Sequence, residues 1–358
     1  MHDEGRTFLE DLIGAASPSG FETAGQRVWV DYVDEFADEV HVDAYGNAVA
    51  VYNGDNSGGG RPEIAFAGHM DEIGFAVSAI DERGFLRLSE LGGVDKTVSK
   101  GQHVNVHTAD GVVEGVIGQT AIHHRDKRID EDPQAVHKQH VDIGAADEAQ
   151  ARELVEVGDP ITVAVGLREL AGDRVAGRAL DNRAGVWVAA EALSRAAERG
   201  VDSTVYAVST VQEEVGLQGA QMVGYDVHPD AAIAIDVTHA SDHPQWPETM
   251  HAEVTLGEGP VVSRGTANHT ELVKAIRAAA AAEDLPFQLQ ATSKDTGTDA
   301  DAFYTERGGI PSLYLGIPNR YMHTPAEVVD RADLDVAADL LAALADREAG
   351  RSGFAVEL

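Results

Sequence analysis

Five apolar segments of this chain carry an acidic or histidine residue at or soon after their downstream end. Small and β-branched residues dominate these segments, which is typical of β-strands. The polar residues lie at 68–72, 179–183, 212–216 and 320–325, and Asp236 closes the remaining run. Ligands of open α/β sheets bind beyond the carboxyl ends of the strands. The pattern therefore predicts an α/β sheet with a functional site at that edge.

The polar residues of these motifs can form a metal site without sulfur. They include two imidazoles and several carboxylates, and the chain has no cysteine. Nitrogen and carboxylate ligands suit zinc, and also cobalt or manganese. Two metals about 3.5–4 Å apart need one carboxylate that bridges them and roughly two terminal ligands each. Five residues fit this requirement: His69, Asp181, Glu214, Asp236 and His323.

Glu213 directly precedes one of these candidate ligands, Glu214. Adjacent side chains diverge in an extended segment or a sharp turn. One carboxylate can then bind metal while the other accepts a proton from the metal-activated water as a general base. We therefore expect Glu213 to be catalytic and Glu214 to be a ligand.

In their order along the chain, the motifs resemble those of dinuclear-metal aminopeptidases of the tetrahedral (TET) type. That family also includes glutamyl aminopeptidases and proteins labelled endoglucanase. The resemblance covers almost the whole chain, and its matching segments are 68–74, 179–183, 212–216, 235–238 and 322–325, with 297–300 as a further motif near the site. It departs at 121–124, where many relatives have a Pro-Pro-His stretch and this chain has Ala-Ile-His-His.

The resemblance implies how the candidate ligands are shared between two metals. His69, Asp181 and Asp236 hold the first metal. Asp181 also bridges to the second metal, which Glu214 and His323 complete. Zinc is the expected metal, and cobalt and manganese are alternatives because they accept similar ligands.

The resemblance also implies an activity and an assembly. The chain is expected to be an aminopeptidase that removes N-terminal residues from short peptides, using a water activated by two metals. Glu213 matches the proton acceptor of the family. Asp71 matches a residue two positions after the ligand histidine, where a carboxylate orients the imidazole and raises its basicity. The expected homo-oligomer is a hollow tetrahedral dodecamer whose internal active sites admit short peptides and exclude folded proteins.

A long interval separates the first motif from the second. Asp71 and Asp181 are 181 − 71 = 110 residues apart, and short alternating runs punctuated by glycine fill much of the interval. Such runs are typical of a small β-barrel or sandwich. We expect a β domain at 74–166, inserted into a catalytic domain formed by 1–73 and 167–358. Related dinuclear carboxypeptidases and deacylases place their extra domain between the fourth and fifth motifs, so this position favours an aminopeptidase.

The catalytic domain is expected to be an α/β domain with a mostly parallel sheet flanked by helices. From residue 160 onward, strand-like and helix-like segments alternate, which favours a parallel sheet with helices on both faces. Composition and the spacing of apolar residues predict the helices 5–15, 22–36, 145–157, 182–199, 271–283 and 334–348. The glycine-rich stretch 53–60 is expected to connect a hairpin.

The inserted domain contains four histidines whose role is open: His123, His124, His137 and His140. They can form a second metal site or lie in solvated loops. The spacing of His137 and His140 is loose for a metal site, and the surrounding segment is rich in charge. We therefore favour solvated loops.

The net charge limits the classes of partner. The chain has 27 Lys and Arg residues against 61 Asp and Glu residues, a formal net charge of −34. Such a charge argues against nucleic acid and anionic membranes as partners. No apolar run reaches transmembrane length, and the N-terminus lacks the basic and apolar regions of a signal peptide. A cytoplasmic location is the simplest expectation.

The distribution of charge favours a halophilic source. Acidic residues are spread along the whole chain, whereas lysine occurs only at 96, 100, 127, 138, 274 and 294. Halophiles use high acidic charge on folded chains, since concentrated salt screens the self-repulsion. The alternative is an ordinary acidic enzyme from a low-salt environment.

Two other functions are compatible with paired carboxylates. A glycoside hydrolase would use two of them without a metal, but it gives no role to His69 and His323. A structural or scaffolding protein would use its acidic clusters only for solubility, and it would bind no transition metal in stoichiometric amounts. Removal of metal discriminates, because only the metalloenzyme loses its activity.

Overall fold

The computed structural model describes residues 1–54, 61–125, 133–247, 253–348, 350 and 353–356. Its α-helices in these ranges are α1 (Asp3–Gly14), α2 (Thr23–Val33), α3 (Glu148–Leu154), α4 (Leu180–Arg199), α5 (Gln218–Asp226), α6 (Thr270–Glu283), α7 (Ala300–Phe303) and α8 (Arg331–Glu348). Its strands are β1 (Glu39–Val42), β2 (Ala48–Tyr52), β3 (Glu63–His69), β4 (Gly74–Ile80), β5 (Leu86–Leu91), β6 (His103–Thr108), β7 (Gly111–Ile117), β8 (His140–Asp142), β9 (Pro160–Val163), β10 (Arg168–Glu169), β11 (Arg174–Gly177), β12 (Thr204–Thr210), β13 (Ala231–His239), β14 (Val261–Gly265), β15 (Gln288–Thr292), β16 (Ser312–Asn319) and β17 (Glu327–Asp330).

The large sheet has eight strands in the order β1-β2-β12-β3-β13-β16-β14-β15. Its central strands β12, β3, β13 and β16 run parallel to one another. Antiparallel pairs flank them on both sides, as β1 with β2, β2 with β12, and β14 with β16. The predicted mostly parallel sheet is thus confirmed. Because parallel strands end at the same edge, the central strands bring their downstream residues together.

Side chains alternate between two apolar layers along the central strands. In β3, Ile64 and Phe66 pack in a layer that also contains residues of α1, α4 and α8. Ala65 and Ala67 lie in the opposite layer with Phe303 of α7. Burying a side chain such as Phe66 stabilises the fold by about 1.5–3 kcal/mol. Both faces of the sheet are therefore covered, as the continuous apolar runs of its central strands predict.

The segment between β3 and β10 forms a second structure, a closed barrel of the six strands β4-β5-β8-β7-β6-β9. Its strand pairs are antiparallel, and its interior has an apolar cluster of its own that includes Phe75, Leu88, Val106 and Ile161. The predicted fold class, an α/β sheet with a small barrel or sandwich, is confirmed, with the barrel as the form observed. The division at 74–166 stays a prediction about domains.

The predicted helices are present, with different ends. The helix predicted at 22–36 is α2, which ends at Val33, and the helix predicted at 145–157 is the shorter α3. Asp147 caps α3, since its side chain accepts the backbone N–H of Gln150 at 2.9 Å. Residues 55–60 of the predicted hairpin connection lie outside the described residues. In the described ranges, the helices lack the combination of length and apolar character needed to cross a membrane.

Candidate active site

His69 is the last residue of β3 and is buried. Its Nδ1 lies 3.1 Å from the backbone oxygen of Asp71 and 3.4 Å from Asp71 Oδ1. Because the carbonyl oxygen can only accept a hydrogen bond, Nδ1 carries the proton and Nε2 is free to bind a metal. Nε2 lies 3.2 Å from Asp181 Oδ1 and 3.7 Å from Asp236 Oδ1. The structure thus brings together the three predicted ligands of the first metal.

Asp236 differs from its predicted position in one respect. The sequence predicts that the strand ends at Asp236, but β13 continues through Asp236 to His239. The strand is extended because β13 pairs in parallel with β16 as far as Asn319. Asp236 therefore lies inside a strand, and its carboxylate still reaches His69.

Asp181 presents one carboxylate oxygen to each of the two histidines. Its Oδ1 lies 3.2 Å from His69 Nε2, and its Oδ2 lies 3.4 Å from His323 Nε2. His323 Nε2 also lies 3.9 Å from Glu214 Oε1. Asp181 is therefore placed between the two predicted ligand groups, as a bridging carboxylate must be.

Asp181 reaches this position because α4 packs directly against β3. The residue before His69 is Gly68, where a Cβ would meet the backbone carbon of Gly185 and the backbone nitrogen of Val186 at 2.6 Å. A larger residue would push the helix away from the strand. Glycine at this position therefore keeps α4 close to β3, and with it the non-helical residue Asp181 at the start of the helix.

His323 is oriented by a residue that sequence analysis missed. Its Nδ1 lies 3.0 Å from the backbone oxygen of Gly93, so this nitrogen donates and Nε2 faces the carboxylates. Gly93 follows β5 of the barrel, and a Cβ there would lie 2.9 Å from His323 Nδ1. The adjacent glycines at 92 and 93 were the only signal in the sequence. The barrel thus contributes to the position of a predicted ligand.

Asp71 holds the turn that carries the two adjacent glutamates. The Asp71 carboxylate is fully buried. Its Oδ1 accepts the N–H of Glu213 at 2.9 Å, and its Oδ2 accepts the N–H of Glu214 at 3.1 Å and the hydroxyl of Ser19 at 2.7 Å. Glu213 Oε2 lies 3.8 Å from His69 Nε2, and Glu214 Oε1 lies 3.9 Å from His323 Nε2. Asp71 therefore orients both His69 and the predicted general base.

The predicted site residues form one cluster with the donor atoms of a metal centre. In the described ranges, three overlapping groups have donor atoms within 4.8 Å of one another: His69, Glu213 and Glu214; His69, Asp181 and Asp236; and Asp181, Glu214 and His323. Within the described residues, the four carboxylates of these groups form ion pairs with His69 and His323 and with no Lys or Arg. These carboxylates are Asp181, Glu213, Glu214 and Asp236. Buried carboxylates need a compensating positive charge. The donor set therefore fits two divalent cations.

The pKa values of Glu213, Glu214 and His69 are raised, as expected where buried carboxylates lack enough neighbouring positive charge. Burial raises the pKa of Glu213 to about 10 although His69 opposes the shift. Burial and the neighbouring charge of Asp181 raise the pKa of Glu214 to about 8. Burial lowers the pKa of His69, but the charges of Glu213 and Asp236 outweigh it, and the pKa lies well above its ordinary value. Cations at the cluster would favour the ionised carboxylates over the protonated ones.

Two further buried carboxylates adjoin the cluster. Glu327 accepts the backbone N–H groups of Asp181 and His323, both at 2.9 Å. Sequence analysis missed Glu327. The available signal was a charged residue directly before the apolar pair Val328 and Val329. Asp299 lies in the motif at 297–300, and its Oδ2 accepts the hydroxyl of Thr210 at 2.6 Å. Burial raises the pKa of Asp299 to about 7.

A cavity of about 580 Å³ opens at the cluster. Its wall includes the predicted metal ligands and Glu213, and it extends to Gln290, Asp295, Thr296 and Asp301. No Lys or Arg lines it within the described residues. The cavity can therefore admit a small polar molecule, in surroundings that carry negative charge.

The histidines of the inserted segment do not join a metal centre of this kind. His123, His124 and His137 are exposed, and His140 is partly buried with its ring 5.1 Å from that of Phe85. Among the described residues, none of the four belongs to a group of three close metal donors. The exposure of His123, His124 and His137 agrees with solvated positions, whereas the expectation of a solvated loop is wrong for His140, which begins β8.

Comparison with known proteins identifies relatives over nearly the whole chain. The profile of the M42 glutamyl aminopeptidase family matches residues 46–340. The lysyl aminopeptidase of Pyrococcus furiosus is 32% identical over 339 residues, which cover 94% of this chain and 95% of that protein. The predicted family resemblance thus has support from both comparisons of sequence.

Solved structures show the same relationship. The TET aminopeptidase of a marine sediment archaeon of the Thaumarchaeota has a TM-score of 0.90 and 34% identity, covering 98% of this chain and 99% of its own. The TET1 peptidase of Pyrococcus horikoshii has a TM-score of 0.84 and 31% identity, with coverage of 95% and 99%. Together with the family profile, these similarities confirm the predicted resemblance: the chain belongs to the M42 glutamyl aminopeptidase family and is a hydrolytic aminopeptidase.

Proposed function

We propose that this aminopeptidase uses two divalent metal ions, with zinc as the expected metal and cobalt or manganese as alternatives. His69, Asp181 and Asp236 would hold one ion, and Asp181, Glu214 and His323 the other. The observation that carries this proposal is the position of Asp181, whose two oxygens lie 3.2 and 3.4 Å from the Nε2 atoms of different histidines. When bound, such ions polarise a peptide carbonyl and lower the pKa of water.

Glu213 is the general base of the proposed reaction. It accepts a proton from the water that attacks the first peptide carbonyl and returns a proton to the leaving amine. Its position supports this role, since its side chain lines the cavity and its backbone is held by Asp71 at 2.9 Å. The adjacent Glu214 approaches the other histidine, with its Oε1 lying 3.9 Å from His323 Nε2. The two glutamates are thus available for separate tasks.

The substrates are short peptides with a free amino terminus, and the cavity indicates which first residue they carry. Asp295 and Asp301 lie in its wall, and no Lys or Arg lies there among the described residues. A basic first side chain is attracted by this surface, whereas an acidic one meets like charge without a counter-ion. We propose that N-terminal Lys and Arg are favoured over Glu and Asp.

A peptide screen tests this function. The purified protein, loaded in turn with zinc, cobalt and manganese, is given tripeptides that differ only in the first residue, each with a free or an acetylated amine. We expect cleavage of the first bond of free peptides alone. The kcat/KM for Lys or Arg should exceed that for Glu by about tenfold or more, where tenfold corresponds to about 1.4 kcal/mol. Chelation should abolish the activity.

Other outcomes of the same screen would contradict separate parts of the proposal. Cleavage of acetylated peptides at internal bonds would exclude an aminopeptidase mechanism. A preference for N-terminal Glu would contradict the proposal that the acidic cavity wall selects a basic first residue. In a separate assay, hydrolysis of glucan that survives chelation would support the glycoside hydrolase.

We further propose that the chain assembles into a tetrahedral dodecamer that is stable in concentrated salt. The TET1 peptidase of Pyrococcus horikoshii can assemble into a tetrahedron or a large octahedral shell. Each copy of this chain brings a formal charge of −34, which opposes association. The Debye length is roughly 30 Å at 0.01 M salt and about 3 Å at 1 M. A halophilic source and a cytoplasmic location stay predictions from the sequence.

Light scattering across a salt series tests the assembly. We expect a large, active particle in molar salt and smaller, less active species as salt is removed, because unscreened subunits repel one another. Restoring the salt should restore the particle. A fully active monomer at every salt concentration would contradict both the assembly and the argument from charge.

A further inference from the structure

Glu327 is a buried carboxylate that joins two predicted metal ligands through their backbones. It is 2% exposed and begins β17. Its Oε2 accepts the N–H of Asp181 and its Oε1 accepts the N–H of His323, each at 2.9 Å. Asp181 and His323 are the ligands proposed to lie on either side of the second metal. One side chain therefore links the bridging ligand to a terminal ligand.

The small sheet explains how one residue reaches both segments. Strand β17 pairs with β11, and Glu327 lies opposite Gly177 in the register. The chain passes from Gly177 to Asp181 in four residues, and from His323 to Glu327 in another four. The pairing of β11 with β17 thus places the Glu327 carboxylate between two segments that are far apart in sequence. Local sequence does not determine this arrangement.

The backbone at His323 needs such support. His323 has a φ of 62° and Tyr321 has a φ of 64°, both in the left-handed region. Residues other than glycine are uncommon there and persist where their surroundings hold them. The N–H of His323 is bound by Glu327, and its ring nitrogen Nδ1 faces Gly93 O at 3.0 Å. Together these contacts set both the position and the orientation of the imidazole.

We propose that Glu327 is a positioning residue that holds Asp181 and His323 at the separation needed to bind the second metal. This inference rests on the proposed two-metal function. A carboxylate suits the role because each of its oxygens accepts one N–H group, whereas an amide offers a single acceptor oxygen. Glu327 acts through the backbones of the ligands and is not itself a ligand.

The variant Glu327→Gln tests the proposal by metal binding rather than activity alone. It keeps the size of the side chain but cannot accept both N–H groups. In calorimetric titration of the metal-free protein with zinc, we expect two sites in the unaltered protein. In the variant, the affinity of one site should fall by about 10–100-fold, as for other residues that orient metal ligands. The other site, which shares only Asp181 with the affected one, should weaken less, and peptide hydrolysis should recover at high zinc.

Asp333 provides a matched control. It is also a fully buried carboxylate, and its two oxygens accept the N–H groups of Gly257 and Gly259, both at 2.8 Å. Neither Asp333 nor these glycines line the cavity. Asp333→Asn should lower thermal stability without weakening either zinc site. An equal loss of zinc affinity in both variants would show a general effect of buried carboxylates and would overturn the proposal.

The outcomes separate this inference from the two-metal function. If the unaltered protein binds no zinc, the two-metal function itself fails. If it binds two ions and Glu327→Gln binds both equally well, only the role of Glu327 fails. Should Glu327→Gln not fold, Glu327→Asp keeps both oxygens on a shorter side chain and should show the same selective loss. Unchanged zinc affinity in that folded variant would also overturn the proposal.

Discussion

Glu213→Gln is expected to lower kcat for peptide hydrolysis by about 10²–10⁴-fold, the usual contribution of a general base. The amide has nearly the same size as the carboxylate but cannot take a proton from the attacking water. Both metals should remain bound, because Glu213 lies outside the proposed ligand set. Steady-state kinetics at saturating peptide, with the metal content of the same preparation measured by elemental analysis, check both expectations.

Glu214→Gln is the matched comparison for this experiment. It makes the same chemical change one residue further along, at a side chain that lies 3.9 Å from His323 Nε2. Its expected effect is the loss of one metal as well as of activity. If Glu213→Gln kept full activity with both metals bound, the assignment of the base would be wrong. If it lost metal as Glu214→Gln does, Glu213 would be a ligand instead.

Asp181→Asn is expected to abolish the binding of two metals and reduce hydrolysis to background. Its carboxylate oxygens face His69 at 3.2 Å and His323 at 3.4 Å, and an amide has only one oxygen to offer. The loss should exceed the roughly 10–100-fold cost of removing a residue that merely orients a ligand. Elemental analysis after dialysis against a metal buffer should find at most one ion per chain.

Asp236→Asn serves as the control for removal of a ligand that does not bridge. Asp236 lies 3.7 Å from His69 Nε2, and it belongs to only one of the two proposed ligand sets. This variant should weaken the first metal and leave the second. If Asp181→Asn retained two tightly bound ions, Asp181 would not be the bridging ligand. If titration showed that Asp181→Asn weakened only one site and left the other at its unaltered affinity, the two sites would not share Asp181.

The sequence by itself determined the types of residue in the site and their approximate places in the fold. Apolar runs that end near His69 and before Glu213 indicate strands because continuous apolar character suits a sheet covered on both faces. Glycine-punctuated alternation predicted the small β structure. These signals are local, because side chains alternate between buried and exposed positions with a fixed period along each strand or helix. That is why the fold class and the candidate ligands could be identified from the chain alone.

Tertiary structure alone decided how these residues act together. That Asp181 faces both histidines, that β13 continues past Asp236, and that Glu327 binds two backbones all depend on strand register and helix packing. Glu327 and Asp181 are 146 residues apart, and the pairing of β11 with β17 brings them together. Hydrogen bonds are directional and act over about 3 Å. A sequence pattern can indicate which groups are present, but only the packed chain places their atoms within that distance.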